Sequence, residues 1–176
     1  MAFSDGDLIA RVLESGDPNA FAELVRRYQS PVRAFLRRMT RGDAALADDL
    51  AQETFIRAWR KLETYRNESR FSTWLFGIAV NEFRGRARRV RRLREERLDE
   101  ASPGLEPAVE PVSPGLRLDL NEALLRLTLA ERAAIVLCCQ NGLTHDEAAV
   151  ALGCPLGTVK TNVLRGKEKM RRWLQI

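Results

Sequence analysis

A cluster of prolines divides this chain into two parts. Four of its seven prolines lie between residues 101 and 117, together with two glycines. Proline lacks a backbone donor and clashes with the preceding helical turn, so this stretch cannot form one continuous helix. About 20 residues at roughly 3.3 Å each would reach about 65 Å, close to two turns of B-DNA. We therefore expect a flexible linker over residues 96–117, between domains at 1–95 and 118–176.

Sequence signals for helix starts recur along the amino-terminal part. No segment of the chain shows the sustained alternation of apolar and polar residues that is typical of a strand. Ser4 and Asp7 have the spacing of a capping box, and Asp17 precedes Pro18 as a helix cap precedes a first-turn proline. Apolar residues then recur at intervals of three and four, as on one face of a helix. Helices are expected to start near residues 4, 17, 43 and 70. The predicted fold class is all-α.

The carboxy-terminal part has the outline of a helix-turn-helix. Thr128 with Glu131, and Thr144 with Glu147, form two successive capping-box patterns. A short helix then ends at Gly153, and a proline two residues later opens a long basic helix. Short helix, glycine turn and long helix follow one another as in DNA-binding helix-turn-helix units.

The last helix carries an apolar face and an opposite polar face. Val159 and Val163 belong to the face that must pack on the preceding helices. The other face suits the DNA major groove, because it offers a glycine for close approach, hydroxyl and guanidinium donors, and a leucine for a thymine methyl. Its residues are Gly157, Thr158, Lys160, Thr161, Leu164 and Arg165. A solvated helix that closes a bundle is the alternative.

Arginine dominates the positive charge of the chain. Of the 29 lysine and arginine residues, 25 are arginine, and the net charge is +5. Arginine binds phosphates and base edges through its planar fork, so this bias favours a polyanionic partner. Eight arginines lie among residues 84–97, against two glutamates. We expect this run to follow phosphates rather than to be only a solvated helix end.

The composition gives little support to enzymatic chemistry or to a membrane protein. We interpret the three cysteines, Cys138, Cys139 and Cys154, as small buried hydrophobic residues, because no Cys-x-x-Cys pair is present and the only histidine is His145. No serine nucleophile motif or glycine-rich phosphate loop occurs. No apolar run approaches the roughly 18 residues of a membrane span, and the amino end lacks a signal-peptide pattern. We expect a soluble, cytoplasmic protein that is not an enzyme and needs no metal or cofactor.

Two outward stripes are predicted in the amino-terminal part. One side of the helix expected from residue 43 carries Asp49, Gln52, Glu53, Ile56 and Arg60. An isoleucine within a polar stripe indicates a protein-binding surface, although a solvated face is the simpler alternative. One stripe of the next helix carries Trp74, Gly77, Asn81, Arg84 and Arg88. An aromatic ring, an amide and guanidinium groups suit unpaired bases and phosphates.

Three segments carry a specific resemblance to a known family. They are residues 48–59 (DDLAQETFIRAW), 71–81 (FSTWLFGIAVN) and 153–160 (GCPLGTVK). In this order around a proline-rich linker, they resemble bacterial sigma factors of the sigma-70 family, specifically the two-domain extracytoplasmic-function (ECF) group. The resemblance covers nearly all residues outside the linker. It implies a sigma-2-like helical bundle joined to a sigma-4-like helix-turn-helix domain.

The resemblance also implies functional residues and partners. The surface for core RNA polymerase would comprise Asp48, Asp49, Gln52, Glu53, Ile56 and Arg60. The minus-ten element would be recognised and melted by Tyr65, Arg66, Asn67, Glu68, Ser69, Phe71, Ser72, Trp74, Asn81, Arg84 and Arg88. The minus-thirty-five element would contact Gly157, Thr158, Lys160, Thr161, Leu164 and Arg165. The expected partners are promoter DNA, core polymerase at its beta-prime clamp helices and beta flap, and an anti-sigma factor, frequently membrane-bound.

The chain differs from the family pattern at several positions, and two other classes of protein share some of its features. The chain has Phe76 and Gly77, Asn162 and Leu164 where members often have other residues. A stand-alone helix-turn-helix transcriptional regulator would share the carboxy-terminal motif, but it has no reason for the face at residues 48–59. A nucleic-acid enzyme would need clustered metal-binding carboxylates, whereas Asp48 and its neighbour point in different directions on their helix.

Overall fold

The computed structural model describes residues 3–98 and 120–174. Residues 99–117 of the predicted linker lie outside this part of the chain, so the linker remains a prediction. The described residues contain eight α-helices and no strand, which confirms the predicted fold class. The helices are α1 (Asp5–Ser15), α2 (Pro18–Met39), α3 (Ala44–Lys61), α4 (Phe71–Leu98), α5 (Leu120–Arg126), α6 (Leu129–Ile135), α7 (His145–Leu152) and α8 (Leu156–Leu174).

Helices α1 to α4 form an amino-terminal unit whose helix starts follow the sequence signals. Ser4 and Asp7 make the predicted capping box, while the side chains of Asp17 and Asp43 cap α2 and α3. The apolar stripe of α2 is buried, and the rings of Phe35 and Phe76 meet edge to face with centroids 5.6 Å apart. This packing fixes α4 against α2 and turns the opposite side of α4 outward.

Helix α4 extends further than the sequence pattern predicts. The pattern places its end near Arg92, whereas the helix continues to Leu98. Arginine and glutamate are good helix formers, and Arg91 pairs with Glu95 one turn later at 3.4 Å. The described arginine side chains from Arg86 onward are exposed along this rod.

Helices α5 to α8 form the carboxy-terminal unit, and both predicted capping boxes are confirmed at Thr128 and Thr144. The sequence pattern does not predict the π-helical turn that continues α6 over Val136–Gln140. Gly142 then adopts a φ of 69°, a left-handed conformation that favours glycine. Gly153 ends α7 in the same conformation, as predicted, and α8 follows as the long basic helix.

A buried ion pair holds α8 against α6. Glu131 is 4 % exposed, and its two oxygens accept hydrogen bonds from Lys169 Nζ at 2.7 and 2.9 Å. Its carboxylate also accepts from the backbone of Thr128. Burial alone raises the pKa of Glu131, but the hydrogen bonds from Lys169 and Thr128 outweigh it and lower that pKa below its usual value. The carboxylate is therefore ionised where it anchors α8.

The two units pack against each other, mainly through α4 and α7. At Gly77 the helices approach so closely that a Cβ atom would lie 3.7 Å from both the Cα and the carbonyl oxygen of Ala151. Arg84 Nη1 donates a hydrogen bond to the carbonyl oxygen of Leu152 at 2.8 Å. Buried apolar side chains from both units form one continuous core. The chain therefore adopts a closed arrangement.

A buried arginine reinforces this arrangement away from α7. Arg132 is 2 % exposed and donates to the carbonyl oxygens of Leu124, Leu125 and Leu127, at 2.9, 2.8 and 3.2 Å. These carbonyls lie at the end of α5, where a helix leaves its acceptors unpaired. A fourth bond, 3.3 Å long, reaches the carbonyl oxygen of Arg38 in the other unit. Burial lowers the pKa of Arg132, and nearby Arg41 adds to that effect.

Replacing Lys169 by Met is expected to destabilise the protein at pH 7 and to have little effect near pH 3. Hydrogen bonds to charged groups contribute about 1.5–3 kcal/mol, but the Lys169 side chain is 39 % exposed, so we expect a loss of about 1 kcal/mol. Because the pKa of Glu131 is lowered on folding, its contribution is present above the ordinary glutamate pKa and is lost as the pH falls through the folded-state value.

Urea unfolding of the Lys169→Met variant at the two pH values measures this difference. Lys167→Met, a change at an exposed position of the same helix, is the matched control. Equal destabilisation at pH 7 and pH 3 would contradict the assignment of this ion pair.

Candidate nucleic-acid interface

Helix α8 presents the predicted DNA-reading face to solvent. All six predicted residues are exposed, and Leu164 is 59 % exposed despite its apolar side chain. Thr161 Oγ1 donates to the carbonyl oxygen of Gly157 at 2.8 Å, which orients the hydroxyl along the helix. On the opposite side Val159 and Val163 are buried, as the spacing predicts. The arrangement can place short polar groups, a guanidinium and one apolar side chain against base edges.

The sequence pattern missed one residue that sets the position of α8. Gly166 is buried, and a Cβ atom there would lie 2.4 Å from Ile135 Cδ1. Only a residue without a side chain lets α8 come this close to α6 without displacing the isoleucine. A glycine inside a helix lowers helix stability by about 1 kcal/mol relative to alanine, so its presence in a helical pattern was the sequence signal for a close packing contact.

An aromatic cluster shapes the loop before α4. Tyr65 packs on Phe71 and Trp74 with ring centroids 5.8 and 5.4 Å away, and Tyr28 packs on Phe71 at 5.4 Å. The Tyr65 hydroxyl donates to the carbonyl oxygen of Ser69 at 2.6 Å and so closes the loop on itself. Burial, with a smaller effect of Asp5, raises the pKa of Tyr65, so the phenol stays protonated as a donor.

The structure separates the predicted minus-ten residues by exposure. Phe71 is 3 % exposed and belongs to the core, so it supports the loop and offers no ring to a base in this arrangement. Asn67 lies at the loop tip with a φ of 56°, a conformation that asparagine tolerates. The exposed members of the set are Arg66, Asn67, Glu68, Asn81, Arg84 and Arg88, while Tyr65, Ser69, Ser72 and Trp74 are half-buried.

Five of the six residues predicted to bind polymerase form an exposed stripe on α3. Asp49, Gln52, Glu53, Ile56 and Arg60 are all exposed. Asp48 lies apart from them, because its Oδ1 faces Arg33 and Arg37 of α2 at 3.5 and 3.9 Å. Its carboxylate therefore joins α3 to α2 and is turned away from the stripe.

The structure adds a tryptophan to the α3 surface. Trp59 stands three residues after Ile56, and both side chains are 43 % exposed. The Trp59 ring is held edge to face on Phe21, with centroids 4.9 Å apart. A rigid exposed aromatic beside an exposed aliphatic residue is typical of protein interfaces. The spacing of three from the isoleucine was the signal for it in the sequence.

A groove of about 710 Å³ brings the two predicted stripes of the amino-terminal unit together. The α3 wall includes Asp49, Gln52 and Glu53, while the α4 wall includes Asn81 and Arg88. Arg57 and Glu82 join the walls through an ion pair of 2.6 Å. The α3 wall carries charges of both signs, since Arg57 and Lys61 accompany Asp49 and Glu53, whereas arginines dominate the α4 wall.

The sequence interpretation of the cysteines as buried residues is not met in full at any of the three positions. Cys138 and Cys154 are half-buried, and Cys139 is exposed. Burial raises the pKa of Cys138 to about 11, so its thiol stays protonated at neutral pH.

No group of three or more His, Cys, Asp or Glu side chains in residues 3–98 and 120–174 is arranged to hold a metal ion. Across the same residues, none of the helices combines the length and the apolar character needed to cross a membrane.

Comparisons with known proteins decide the family. Residues 24–93 match the family described as Sigma-70 region 2, and residues 117–170 match Sigma-70, region 4. The ECF RNA polymerase sigma-E factor of Haemophilus influenzae is 33 % identical over 185 residues, which cover 98 % of this chain and 96 % of that protein. The chain belongs to the sigma-70 family, in its ECF group. The match to region 2 also removes the alternative of a stand-alone helix-turn-helix regulator.

Other relatives of this sigma factor agree with the assignment. The ECF RNA polymerase sigma factor SigE of Mycolicibacterium smegmatis is 38 % identical over 157 residues, which cover 86 % of this chain and 60 % of that protein. This chain therefore spans about three fifths of that relative. The RNA polymerase sigma-H factor of Pseudomonas aeruginosa is 33 % identical, with 97 % of this chain and 94 % of that protein aligned.

Two solved structures resemble this one across both units. The sigma factor RpoE from Bartonella quintana, in complex with the anti-sigma factor NepR, gives a TM-score of 0.70 at 29 % identity over 89 % of this chain and 97 % of that chain. CnrH, in complex with the cytosolic domain of CnrY, gives a TM-score of 0.70 at 28 % identity over 97 % of each chain.

Replacing Tyr65 by Phe is expected to loosen the loop before α4 while keeping the ring cluster. The variant loses the hydroxyl that bonds the Ser69 carbonyl at 2.6 Å and lies 3.1 Å from Asn67 Oδ1, and such a hydrogen bond contributes about 0.5–1.5 kcal/mol. Local opening, and with it tryptic cleavage after Arg66, should become about 2- to 10-fold faster. Limited proteolysis with mass spectrometry measures the rate, and cleavage sites outside the loop serve as the internal control. A cleavage rate equal to that of the wild type would show that this hydroxyl does not order the loop.

Proposed function

We propose that this sigma factor binds core RNA polymerase through α3 and recognises promoter DNA through α4 and α8. The observation that carries the proposal is the groove in which the polar side chains of α3, including Gln52 and Glu53, lie beside the arginine-rich wall of α4. One rigid unit can then hold polymerase on one side and promoter DNA on the other. The proposed division of labour places polymerase and minus-ten contacts in residues 1–95 and minus-thirty-five contacts in residues 118–176.

The polymerase contact is proposed for the exposed stripe of α3. Gln52, Glu53 and Ile56 combine hydrogen-bonding groups, charge and an apolar side chain, and Trp59 extends this surface. Such a mixed patch suits the beta-prime clamp helices, while the carboxy-terminal unit is proposed to reach the beta flap. Asp48 is proposed to support the stripe from behind, since its carboxylate faces α2.

The minus-ten contact is proposed for the loop at residues 65–69 and the outward stripe of α4. Unpaired bases would stack on the edge of the aromatic cluster near Trp74, and Asn81 offers an amide for a base edge. The exposed arginines from Arg84 onward would hold phosphates. Binding a flipped base offsets the few kcal/mol that unstacking costs, so recognition and melting are coupled without covalent chemistry.

We further propose that an anti-sigma factor regulates this protein. The two solved relatives described above were each captured with a partner, NepR or the cytosolic domain of CnrY. Because the proposed partners are polymerase and promoter DNA, the site of action is proposed to be the cytoplasm. We propose that the protein is not an enzyme and uses no cofactor.

Run-off transcription tests this function. Core polymerase with the wild-type protein is expected to initiate from specific sites in a genomic promoter library, and core polymerase alone is not. The variant Gln52→Ala with Glu53→Ala should reduce core binding and specific transcription at least about tenfold, as expected when contacts contributing about 1.4 kcal/mol are lost. Glu14→Ala, a change at an exposed residue of α1, is the control. Undiminished core affinity in the double variant would refute the α3 surface.

Arg165→Ala is expected to reduce discrimination of the upstream promoter element. A bidentate contact from arginine to guanine contributes about 1–3 kcal/mol of base discrimination, which corresponds to about 5- to 150-fold. Fluorescence anisotropy with the selected element and with single-base variants measures this ratio, and Lys167→Ala on the same helix is the control. Equal loss of affinity for every duplex would instead assign Arg165 to a phosphate.

A further inference from the structure

We infer that Asp5 of α1 is a positioning residue for minus-ten recognition, because its carboxylate holds the tyrosine that supports the aromatic cluster under the loop at residues 65–69. The inference rests on the proposed function of that loop and of the neighbouring stripe of α4. It assigns a part in base capture to a residue of α1, a helix that lies outside every segment predicted to meet DNA.

Asp5 binds two neighbouring residues of α2. Its Oδ1 accepts a hydrogen bond from Arg27 Nη1 at 2.8 Å, and its Oδ2 accepts one from the Tyr28 hydroxyl. The remaining terminal nitrogen of the guanidinium, Arg27 Nη2, donates to the carbonyl oxygen of Phe3 at 2.7 Å. Both oxygens of the Asp5 carboxylate are therefore engaged, and the start of α1 is fixed on α2 beside Tyr28.

The Tyr28 ring connects this contact to the loop. It meets the ring of Phe71 edge to face, with centroids 5.4 Å apart. Phe71 in turn contacts the rings of Tyr65 and Trp74, with centroids 5.8 and 5.6 Å away. The Tyr65 hydroxyl closes the loop through its bond to the carbonyl oxygen of Ser69. Because rings in contact within a close-packed interior cannot shift independently, the position of Tyr28 sets the positions of the loop and of Trp74.

The bonds of Asp5 suit orientation more than stability. The side chains of Arg27 and Asp5 are 28 % and 30 % exposed, and ion pairs with this access to water add little to the free energy of unfolding. A hydrogen bond from a hydroxyl to a carboxylate is directional, so it favours one position of the Tyr28 side chain. Burial, together with the bond to Asp5, raises the pKa of Tyr28, so this phenol remains a donor at neutral pH.

Helix α1 also lies close to the loop itself. The negative charge of Asp5 contributes, after burial, to the raised pKa of Tyr65 at the start of the loop. Further along, α1 contacts the short helical turn Leu62–Thr64, from which the loop begins. Leu8 and Ile9 of α1 are buried in the core. Apolar contacts therefore hold α1 in place without the carboxylate, and the specific contribution of Asp5 is its bond to Tyr28.

Run-off transcription with core polymerase and the full-length chain tests this role. Asp5→Asn has one acceptor oxygen in its side chain and cannot hold both Arg27 and Tyr28, whereas Tyr28→Phe keeps the ring and loses the hydroxyl. Each variant is compared with the wild type on a promoter selected from the genomic library and on single-base changes in its two elements. The preference for the selected minus-ten bases should fall about 3- to 30-fold in both variants, while the preference at the minus-thirty-five element stays unchanged.

Asp7→Asn is the matched control. It makes the same chemical change two residues along α1, where the carboxylate bonds Ser4 in the capping box, and it should leave both preferences unchanged. The double variant Asp5→Asn with Tyr28→Phe should lose less discrimination than the product of the two single effects, because both changes break the same hydrogen bond. Circular dichroism reports whether each variant keeps its helices. If Asp5→Asn does not, Tyr28→Phe decides, since it keeps the ion pair with Arg27.

Three results would overturn the inference. The first is a minus-ten preference in the folded Asp5 and Tyr28 variants equal to that of the wild type. The second is an equal loss of preference at both promoter elements, and the third is the same loss in Asp7→Asn, since either would mean that the changes only destabilise the protein. If the wild type initiates specifically in these cases, only the role of Asp5 is wrong, whereas failure of the wild type to initiate specifically counts against the proposed function.

Discussion

Burial of one side of α4 is the constraint on which the rest of the structure depends. Phe71, Leu75 and Phe76 insert into the amino-terminal core, where they are at most 3 % exposed. Because a helix turns by about 100° per residue, fixing that side also fixes which residues point outward. The outward side then carries the groups proposed to face DNA, the wall of the groove shared with α3, and the contact with α7. A change that rotated α4 would disturb all three surfaces together.

Charged side chains are unevenly distributed over the molecule, and the net charge of +5 does not show this distribution. The α3 surface proposed to meet a protein partner mixes acidic and basic side chains, as at Glu53 and Arg60, whereas basic side chains line the distal part of α4. Buried or half-buried charges are compensated by hydrogen bonds, since Glu131 has Lys169 and Arg132 has helix-end carbonyls. These pairs fix helix positions, whereas the exposed arginines remain oriented toward solvent.

Most helix starts and the exposed polar face of α8 were predictable because they depend on short-range chemistry. A capping box needs two residues three positions apart, and the left-handed turn at Gly153 needs a residue without a side chain. Exposure of the α3 stripe follows from helical periodicity in the same way. Periodicity leaves Asp48 outside this stripe; only the family resemblance adds it, and its carboxylate faces α2.

The sequence by itself determined the all-α class and most of the residues that each helix turns outward, because these properties depend on side chains only a few positions apart. Tertiary structure alone decided that α7 lies on α4, that Arg132 reaches the carbonyl of Arg38, and that Gly166 seats α8 on α6. These contacts join residues from 31 to 94 positions apart in the chain. They depend on shape complementarity between surfaces that exist only after each helix has packed.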